Sequence, residues 1–202
     1  EDAGKKRITV SDDGCGMNEE DAEKALLRHA TSKIRQVDDF LRVNTLGFRG
    51  EALPSIASVS RMTLTTGEGE GRVRFVIENG KVIERTNVAG PKGTEIKVEN
   101  LFEFTPARLK FLKSDHTETQ AIVEMVSRYA LAHPHVSFVL KVNDNESIHS
   151  SGSGNLLNAI AEVWGGELSK TLTEVDMTTG NVRVKGFVSA PYMNKPTRSH
   201  QY

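Results

Sequence analysis

The residues best suited to chemistry lie in one short stretch near the start of the chain, Ser11 to Met17, which reads SDDGCGM. Asp12 follows an alternating run that predicts a β-strand, and a carboxylate at a strand end can accept hydrogen bonds from a ligand. Gly14 and Gly16 lack a Cβ and therefore let the backbone approach a ligand closely. The same string also fits an ordinary turn, since Asp and Gly are common turn residues. Whether this stretch is part of a ligand site or an ordinary turn depends on whether other segments supply the remaining walls of a site.

A second candidate is Thr31-Ser32-Lys33, at the end of a predicted amphipathic helix. Each hydroxyl can donate one hydrogen bond to a phosphate oxygen, and the lysine adds a positive charge. The alternative is a solvated helix end, with the lysine close to the negative end of the helix dipole.

A third candidate is the run Gly47-Phe48-Arg49-Gly50-Glu51-Ala52-Leu53, where a predicted helix begins near Gly50 or Glu51. Backbone amides at a helix start can surround an anion, and the helix dipole adds to the attraction. The run lacks the Walker pattern, and Gly50 could equally be a plain N-cap. Thr94, at the start of another predicted strand, could reach a ligand or merely cap that strand.

Taken together, one carboxylate and two anion-binding turns describe a nucleotide site. Asp12 would accept a hydrogen bond from the exocyclic amine of adenine, a charge-assisted bond typically worth about 1.5–3 kcal/mol. Guanine carries a carbonyl in place of that amine, so the carboxylate would repel it.

The elements that must position these residues form an α+β pattern of antiparallel hairpins with interleaved helices. The 202 residues are 37% hydrophobic and 26% charged, and the net charge of −1 gives no global basic excess. The single cysteine, Cys15, excludes an intrachain disulfide, and the histidines lack metal-ligand spacing, so no metal site is predicted. No apolar run is long enough to span a bilayer. The stretch Ser151-Gly152-Ser153-Gly154 predicts a domain boundary, with one domain at 1–150 and another at 151–202.

Four strings together resemble the MutL family of DNA mismatch-repair ATPases: DDGCGM at 12–17, RHATSKI at 28–34, LGFRGEAL at 46–53 and LFEFTPARLKFL at 101–112. The glycine–acid string is common to the wider GHKL superfamily of type II topoisomerases, a heat-shock chaperone and histidine kinases. The ATSKI and GFRGEAL strings are specific to MutL-like proteins. The resemblance implies a two-layer α/β sandwich of the GHKL ATPase type, lacking its first helix, followed by an incomplete transducer-type domain.

The resemblance also implies the ligands, ATP and Mg²⁺, and the residues that contact ATP. Asp12 would contact adenine, residues 31–53 would form an ATP lid, and 47–53 would hold phosphates through main-chain amides. The implied ATP-binding set is Asp12, Gly14, Gly16, Thr31, Ser32, Lys33, Gly47, Phe48, Arg49, Gly50, Glu51, Ala52, Leu53 and Thr94. Three basic residues, Arg108, Lys110 and Lys113, could contact DNA phosphates or form a solvated face.

The family's water-activating glutamate and magnesium-holding asparagine precede the strand at Ile8, and its phosphate-contacting lysine follows Tyr202. We therefore read the chain as a fragment truncated at both ends. We expect no catalytic residue and no metal ligand in it, and negligible ATP hydrolysis by this chain alone. Phe104 also departs from the family, which usually has an asparagine there.

In the intact protein, the resemblance implies that ATP orders the lid and drives homodimerisation of a DNA clamp, which hydrolysis resets. Its implied partners are DNA, bound weakly and without sequence preference, a mismatch-recognition protein and other repair factors. We expect no membrane association, and a location in the bacterial cytoplasm or in a eukaryotic nucleus. Two alternatives stay open: a non-enzymatic DNA-clamp or interaction module that never binds nucleotide, and another GHKL ATPase, a topoisomerase or chaperone.

Overall fold

The structure is a computed structural model that describes residues 1–27 and 50–191. By packing, the chain divides into two units, Glu1–Lys113 and Ser114–Tyr202. The Ser- and Gly-rich stretch at 151–154, where composition predicted a boundary, lies inside the second unit. There it forms a turn, with Gly152 and Gly154 at positive φ. The division by packing therefore comes earlier than the one predicted from composition, and a transducer-type domain starting at 151 stays a prediction.

Within residues 1–27 and 50–113, the first unit has five strands, three α-helical segments and one short 3-10 turn. In chain order these are the turn Asp2–Gly4, β1 (Arg7–Asp12), α1 (Glu19–Ala25), α2 (Ala52–Ala57), β2 (Arg61–Gly67), β3 (Gly71–Glu78), β4 (Lys81–Ala89), β5 (Gly93–Glu99) and α3 (Pro106–Leu109). The strands form one antiparallel sheet in the order β1-β5-β2-β3-β4. With helices on this sheet, the predicted α/β sandwich is confirmed.

Local sequence determines several of these boundaries. Asn79 and Gly80 both have positive φ and join β3 to β4, which the Asn-Gly pair predicts. Asn18 caps α1, because its side chain accepts a hydrogen bond from the Asp21 amide. The helix ends at Ala25, earlier than the predicted end near residues 31–33.

The core of the first unit lies between one face of the sheet and the helices. It contains the buried apolar side chains Ala22, Ala57, Met62, Leu64, Val73, Phe75, Ile77 and Val98. On the edge strand β1, Ile8 and Val10 point to this same face, since they pair with Val98 and Ile96. They remain exposed, at 37% and 61%. The core therefore covers the middle of the sheet and leaves β1 open beside Asp12.

The second unit contains α4 (Asp115–Ala132), β6 (Ser137–Val142), β7 (Asn145–Ser151), α5 (Leu156–Trp164), α6 (Gly166–Ser169), β8 (Leu172–Thr179) and β9 (Val182–Ser189). The helices α4 and α5 pack on the β6–β7 hairpin, while β8 and β9 form a second hairpin. Across the described residues, no helix is both long and apolar enough to cross a membrane.

Candidate functional site

The predicted adenine-binding residues meet at one end of the sheet. Asp12 is the last residue of β1 and lies directly opposite Thr94 on β5. Thr94 lies in turn opposite Thr66 on β2. Directly paired residues of antiparallel strands project to the same face, so Asp12, Thr94 and Thr66 form one polar row across three strands. The sheet thus brings Asp12 and Thr94 together, although they are far apart in sequence.

The carboxylate of Asp12 is exposed and oriented by its own loop. The Gly14 amide donates to Asp12 Oδ1 at 2.9 Å. A Cβ at Gly14 would lie only 2.8 Å from the same oxygen. Glycine at this position therefore lets the loop close on the carboxylate, which leaves Oδ2 available for a ligand amine.

Gly16, in the loop at residues 12–17 (the glycine loop), and Gly93, at the start of β5, allow neighbouring parts of the chain to approach each other. Gly16 has φ +70°, and a Cβ there would lie 2.1 Å from the Gly67 carbonyl oxygen. Gly93 has φ +126°, and a Cβ there would lie 2.2 Å from the Asp12 carbonyl oxygen. Real Cβ atoms do not come this close to backbone, so both positions require glycine. The loop is thereby held against the ends of β2 and β5.

Thr66 is a site residue that the sequence did not identify. Its side chain is fully buried, and its Oγ1 accepts a hydrogen bond from the Met17 amide at 2.9 Å. The same oxygen lies 3.0 Å from Thr94 Oγ1 and 3.3 Å from the Gly93 carbonyl oxygen. Thr66 resembles any other threonine in a strand, so only the three-dimensional pairing reveals it.

The remaining predicted ATP-binding residues fall into two groups. Residues 31–33 and 47–49 lie outside the described part of the chain. Gly50 has φ +64°, Glu51 is the N-cap residue of α2, and Ala52 and Leu53 form the first turn of that helix. The predicted helix start is therefore confirmed, and the first-turn amides have no partner within the helix.

The carboxylates closest in sequence to the glycine loop are paired with cations. Glu19 forms an ion pair with Arg85 on β4. Glu20 accepts a hydrogen bond from Lys24 Nζ at 2.6 Å, and this bond holds the pKa of Glu20 below its ordinary value. Both residues are exposed in the first turn of α1, where negative charge is favourable. This supports a structural role for them at the helix start.

The described residues form no cluster that could hold a metal ion through protein side chains alone. No group of three or more His, Cys, Asp or Glu side chains within residues 1–27 and 50–191 could hold a metal ion. Cys15 is exposed, and its Sγ lies 3.4 Å from the Gly16 carbonyl oxygen. Of the predicted DNA-contacting residues, Arg108 lies on α3, Lys110 follows that helix, and Lys113 ends the first unit. All three are exposed.

A cavity of about 560 Å³ adjoins the end of the loop, and Asp12 is not among its lining residues. Its walls include Met17, Thr66, Gly67 and Arg72. The Nε of Arg72 is buried in the described structure without a hydrogen-bond partner, whereas its terminal NH2 group donates to the Thr65 carbonyl. Thr66 therefore belongs both to the polar row and to the wall of this cavity.

Comparison with known proteins gives similarity along nearly the whole chain, although no family model matches it. Over 202 residues, 99% of the chain, it is 45% identical to the DNA mismatch repair protein MutL of Streptococcus sanguinis and covers 31% of that protein. Over 200 residues, 98% of the chain, it is 47% identical to MutL of Desulforudis audaxviator and covers 35% of it. The chain thus spans about a third of the length of these curated relatives.

Comparison with solved structures also finds similarity to a MutL protein, now in the fold. The Aquifex aeolicus MutL ATPase domain complexed with ADP superposes with a TM-score of 0.74 and is 28% identical in sequence. This match covers 94% of the present chain and 67% of that one. A crystal structure described as the N-terminal domain of a DNA repair protein has a TM-score of 0.79 at 23% identity and shows the fold alone.

Proposed function

The chain is of the MutL family in sequence and fold, and we propose that it forms part of the nucleotide site of a DNA mismatch-repair ATPase. The observation that carries this proposal is the polar row at the sheet end, where Asp12 and Thr94 lie on paired residues of β1 and β5. A carboxylate accepts from the exocyclic amine of adenine, and a hydroxyl can donate to a ring nitrogen. The ADP complex of the Aquifex aeolicus relative agrees with a nucleotide as ligand.

Within this proposal the site residues have distinct roles. Asp12 selects adenine, Gly14 and Gly16 hold the loop at the base, and Thr94 provides a hydroxyl beside it. The first turn of α2, at 50–53, and the predicted segments at 31–33 and 47–49 contact the phosphates. ATP would supply the free energy of phosphate-bond cleavage. No cluster of three or more metal-binding side chains is found among the described residues, and no step through Mg²⁺ is assigned to them.

Calorimetric titration of ATP into the chain tests the proposal. We expect saturable binding to the wild type, and weakening by about tenfold in Asp12→Asn, because a charge-assisted hydrogen bond is replaced by a neutral one. The matched control is Asp13→Asn, which removes a neighbouring exposed carboxylate and should leave the affinity within about twofold.

GTP provides a second comparison in the same assay. It should bind far more weakly than ATP, because guanine presents a carbonyl to Asp12 where adenine presents an amine. Absence of saturable ATP binding would favour the alternative, a DNA-clamp module that never binds nucleotide. Equal binding of ATP and GTP would contradict the role of Asp12.

For the intact protein, we propose that ATP binding orders the lid and promotes homodimerisation of a DNA clamp, and that hydrolysis resets it. Its partners would be DNA, a mismatch-recognition protein and other repair factors, in the cytoplasm or nucleus. For this chain alone we expect negligible ATP hydrolysis, since Glu19 and Glu20 are paired with cations. A phosphate-release assay checks this, and turnover that disappears in Glu19→Gln would refute it.

Arg108, Lys110 and Lys113 are proposed as contacts to DNA phosphates. Replacing Arg108 and Lys110 by alanine should weaken binding to double-stranded DNA of any sequence. It should also reduce the slope of log affinity against log salt by about one per lost contact. Lys141→Ala removes an exposed charge in the second unit and is the control. An unchanged salt slope in the double variant would show that these residues form only a solvated face.

A further inference from the structure

The hydroxyl of Thr66 connects three segments of the proposed adenine site. It accepts from the Met17 amide, at the end of the glycine loop, and contacts both Gly93 and Thr94, at the start of β5. These partners lie 49, 27 and 28 residues away in the chain. Thr66 is 0% exposed, so in the folded chain its hydroxyl finds its hydrogen-bond partners within the protein.

The proton of this hydroxyl has two possible acceptors. A threonine hydroxyl donates once and accepts twice, and the Met17 amide already occupies one acceptor position. If Thr66 donates to Thr94 Oγ1, at 3.0 Å, the Thr94 proton is free to point at a ligand. If Thr66 donates to the Gly93 carbonyl, at 3.3 Å, Thr94 can donate to Thr66 and present lone pairs to the ligand. Both arrangements satisfy Thr66.

We propose that Thr66 is a positioning residue of the adenine site, which tethers the glycine loop to β2 and orients the Thr94 hydroxyl towards the base. Thr66 does not touch the nucleotide itself, and it acts through Met17 and Thr94. This inference rests on the proposed function, because it assumes that adenine lies against Asp12 and Thr94. It adds Thr66 as the residue that fixes the glycine loop and the start of β5 relative to each other.

The tether has a specific geometric basis. Gly16 precedes Met17 and lies against the Gly67 and Gly93 carbonyl oxygens, so the loop packs closely on the ends of two strands. Within this loop, the Met17 amide donates a hydrogen bond directly to Thr66 Oγ1. Without the hydroxyl, this amide loses its acceptor in a part-buried position, and the loop can move away from β5.

Three variants separate this role from simple packing. Thr66→Val keeps the side-chain shape and removes the hydroxyl, Thr66→Ser keeps the hydroxyl, and Thr65→Val removes a buried hydroxyl on the opposite face of the same strand. In the nucleotide-free chain, amide hydrogen exchange at Met17 should accelerate about tenfold in Thr66→Val only. The free energy of unfolding is measured in parallel, so that local opening is distinguished from global unfolding.

Calorimetry on the same variants gives the functional result. We expect Thr66→Val to weaken ATP binding about tenfold, which corresponds to about 1.4 kcal/mol. Thr66→Ser and Thr65→Val should stay within about threefold of the wild type. A merely structural role would not give this pattern, because a mostly folded variant with an intact site retains its affinity.

The outcomes distinguish the two proposals. If the wild type does not bind ATP, the proposed function fails, and the inference fails with it as a statement about the adenine site. If the wild type binds ATP and Thr66→Val binds equally well, only the inference is overturned. Equal losses in Thr66→Ser, which keeps the hydroxyl, and in Thr66→Val, which lacks it, would also overturn it, since the effect would then not depend on the hydroxyl.

Discussion

Replacing Gly16 by alanine is the most direct test of how the glycine loop is built. Gly16 has φ +70°, a conformation that side chains with a Cβ rarely adopt. A Cβ there would also lie 2.1 Å from the Gly67 carbonyl oxygen and 3.2 Å from the Gly93 carbonyl oxygen. The first contact involves backbone at the end of a central strand, which cannot move aside as a flexible side chain can.

The expected cost has two parts. A left-handed conformation costs a residue with a Cβ about 1–2 kcal/mol. Relieving the contact with Gly67 requires a backbone shift of about 1 Å, and such overpacking typically costs about 1–3 kcal/mol. The sum is about 2–5 kcal/mol, a large part of the stability of a domain of this size. A loss of 2 kcal/mol would lower the melting temperature by roughly 8 °C or more.

Urea unfolding followed by circular dichroism, together with calorimetric titration of ATP, measures both consequences. Gly16→Ala should lose stability by the amount above. Its remaining folded fraction should bind ATP at least tenfold more weakly, because the shifted loop carries Asp12 and Met17 with it. The matched control is Gly69→Ala in the β2–β3 turn, where a Cβ meets nothing within 4 Å. The control should stay within about 0.5 kcal/mol of the wild type.

Two results would refute this reasoning. If Gly16→Ala is as stable as Gly69→Ala, the close approach to Gly67 does not exist in solution. If Gly16→Ala is destabilised but binds ATP with wild-type affinity, the loop does not contribute to the site.

Three further substitutions test other parts of the chain. The Ser151 amide donates to Glu162 Oε2 at 2.8 Å and holds the pKa of Glu162 below its ordinary value. The wild type should therefore lose stability as pH falls through this lowered pKa, and thermal unfolding of Glu162→Gln should show lower stability at neutral pH and a shallower acid slope. Asn18→Ala removes the acceptor of the Asp21 amide and should cost about 1 kcal/mol in urea unfolding, which Asn18→Asp should largely avoid. Phe75→Ala truncates a 2% exposed core side chain and should cost about 3–5 kcal/mol in urea unfolding, whereas Phe75→Leu should cost less. An acid slope equal to that of the wild type, or losses under 0.5 kcal/mol, would contradict them.

Features determined by neighbouring residues could be predicted from the sequence. Asn79 and Gly80 adopt positive φ and bring Glu78 opposite Lys81, because a two-residue turn determines the register of its hairpin. The cap at Asn18 also depends only on residues within one helical turn. In such features the hydrogen bonds connect residues a few positions apart. A short stretch of sequence is therefore enough to predict them.

The division into units could not be read from composition. A stretch rich in serine and glycine predicts a flexible linker, but such residues also form tight turns. At 151–154 they join β7 to α5, and the Ser151 amide is bound by Glu162 of that helix. The packing boundary at Lys113 and Ser114 instead follows a basic segment with no marked change in composition. Composition detects bends in the chain, but it does not reveal which elements share a core.

The glycine motif shows that a glycine predicted to admit a ligand can be required by contacts within the chain itself. The sequence suggested that Gly14 and Gly16 lack a Cβ so that a ligand can approach. In the structure, the space of each missing Cβ is next to the chain itself, to Asp12 Oδ1 at Gly14 and to the Gly67 carbonyl oxygen at Gly16. Gly16 therefore allows the loop to fit against β2 and β5, and Gly14 allows its amide to reach the Asp12 carboxylate. The pairing of β1 with β5 holds Asp12 beside Thr94, and the close fit of the loop at Gly16 holds the following residues against the same end of the sheet, so a substitution at Gly16 should reduce stability and nucleotide affinity together.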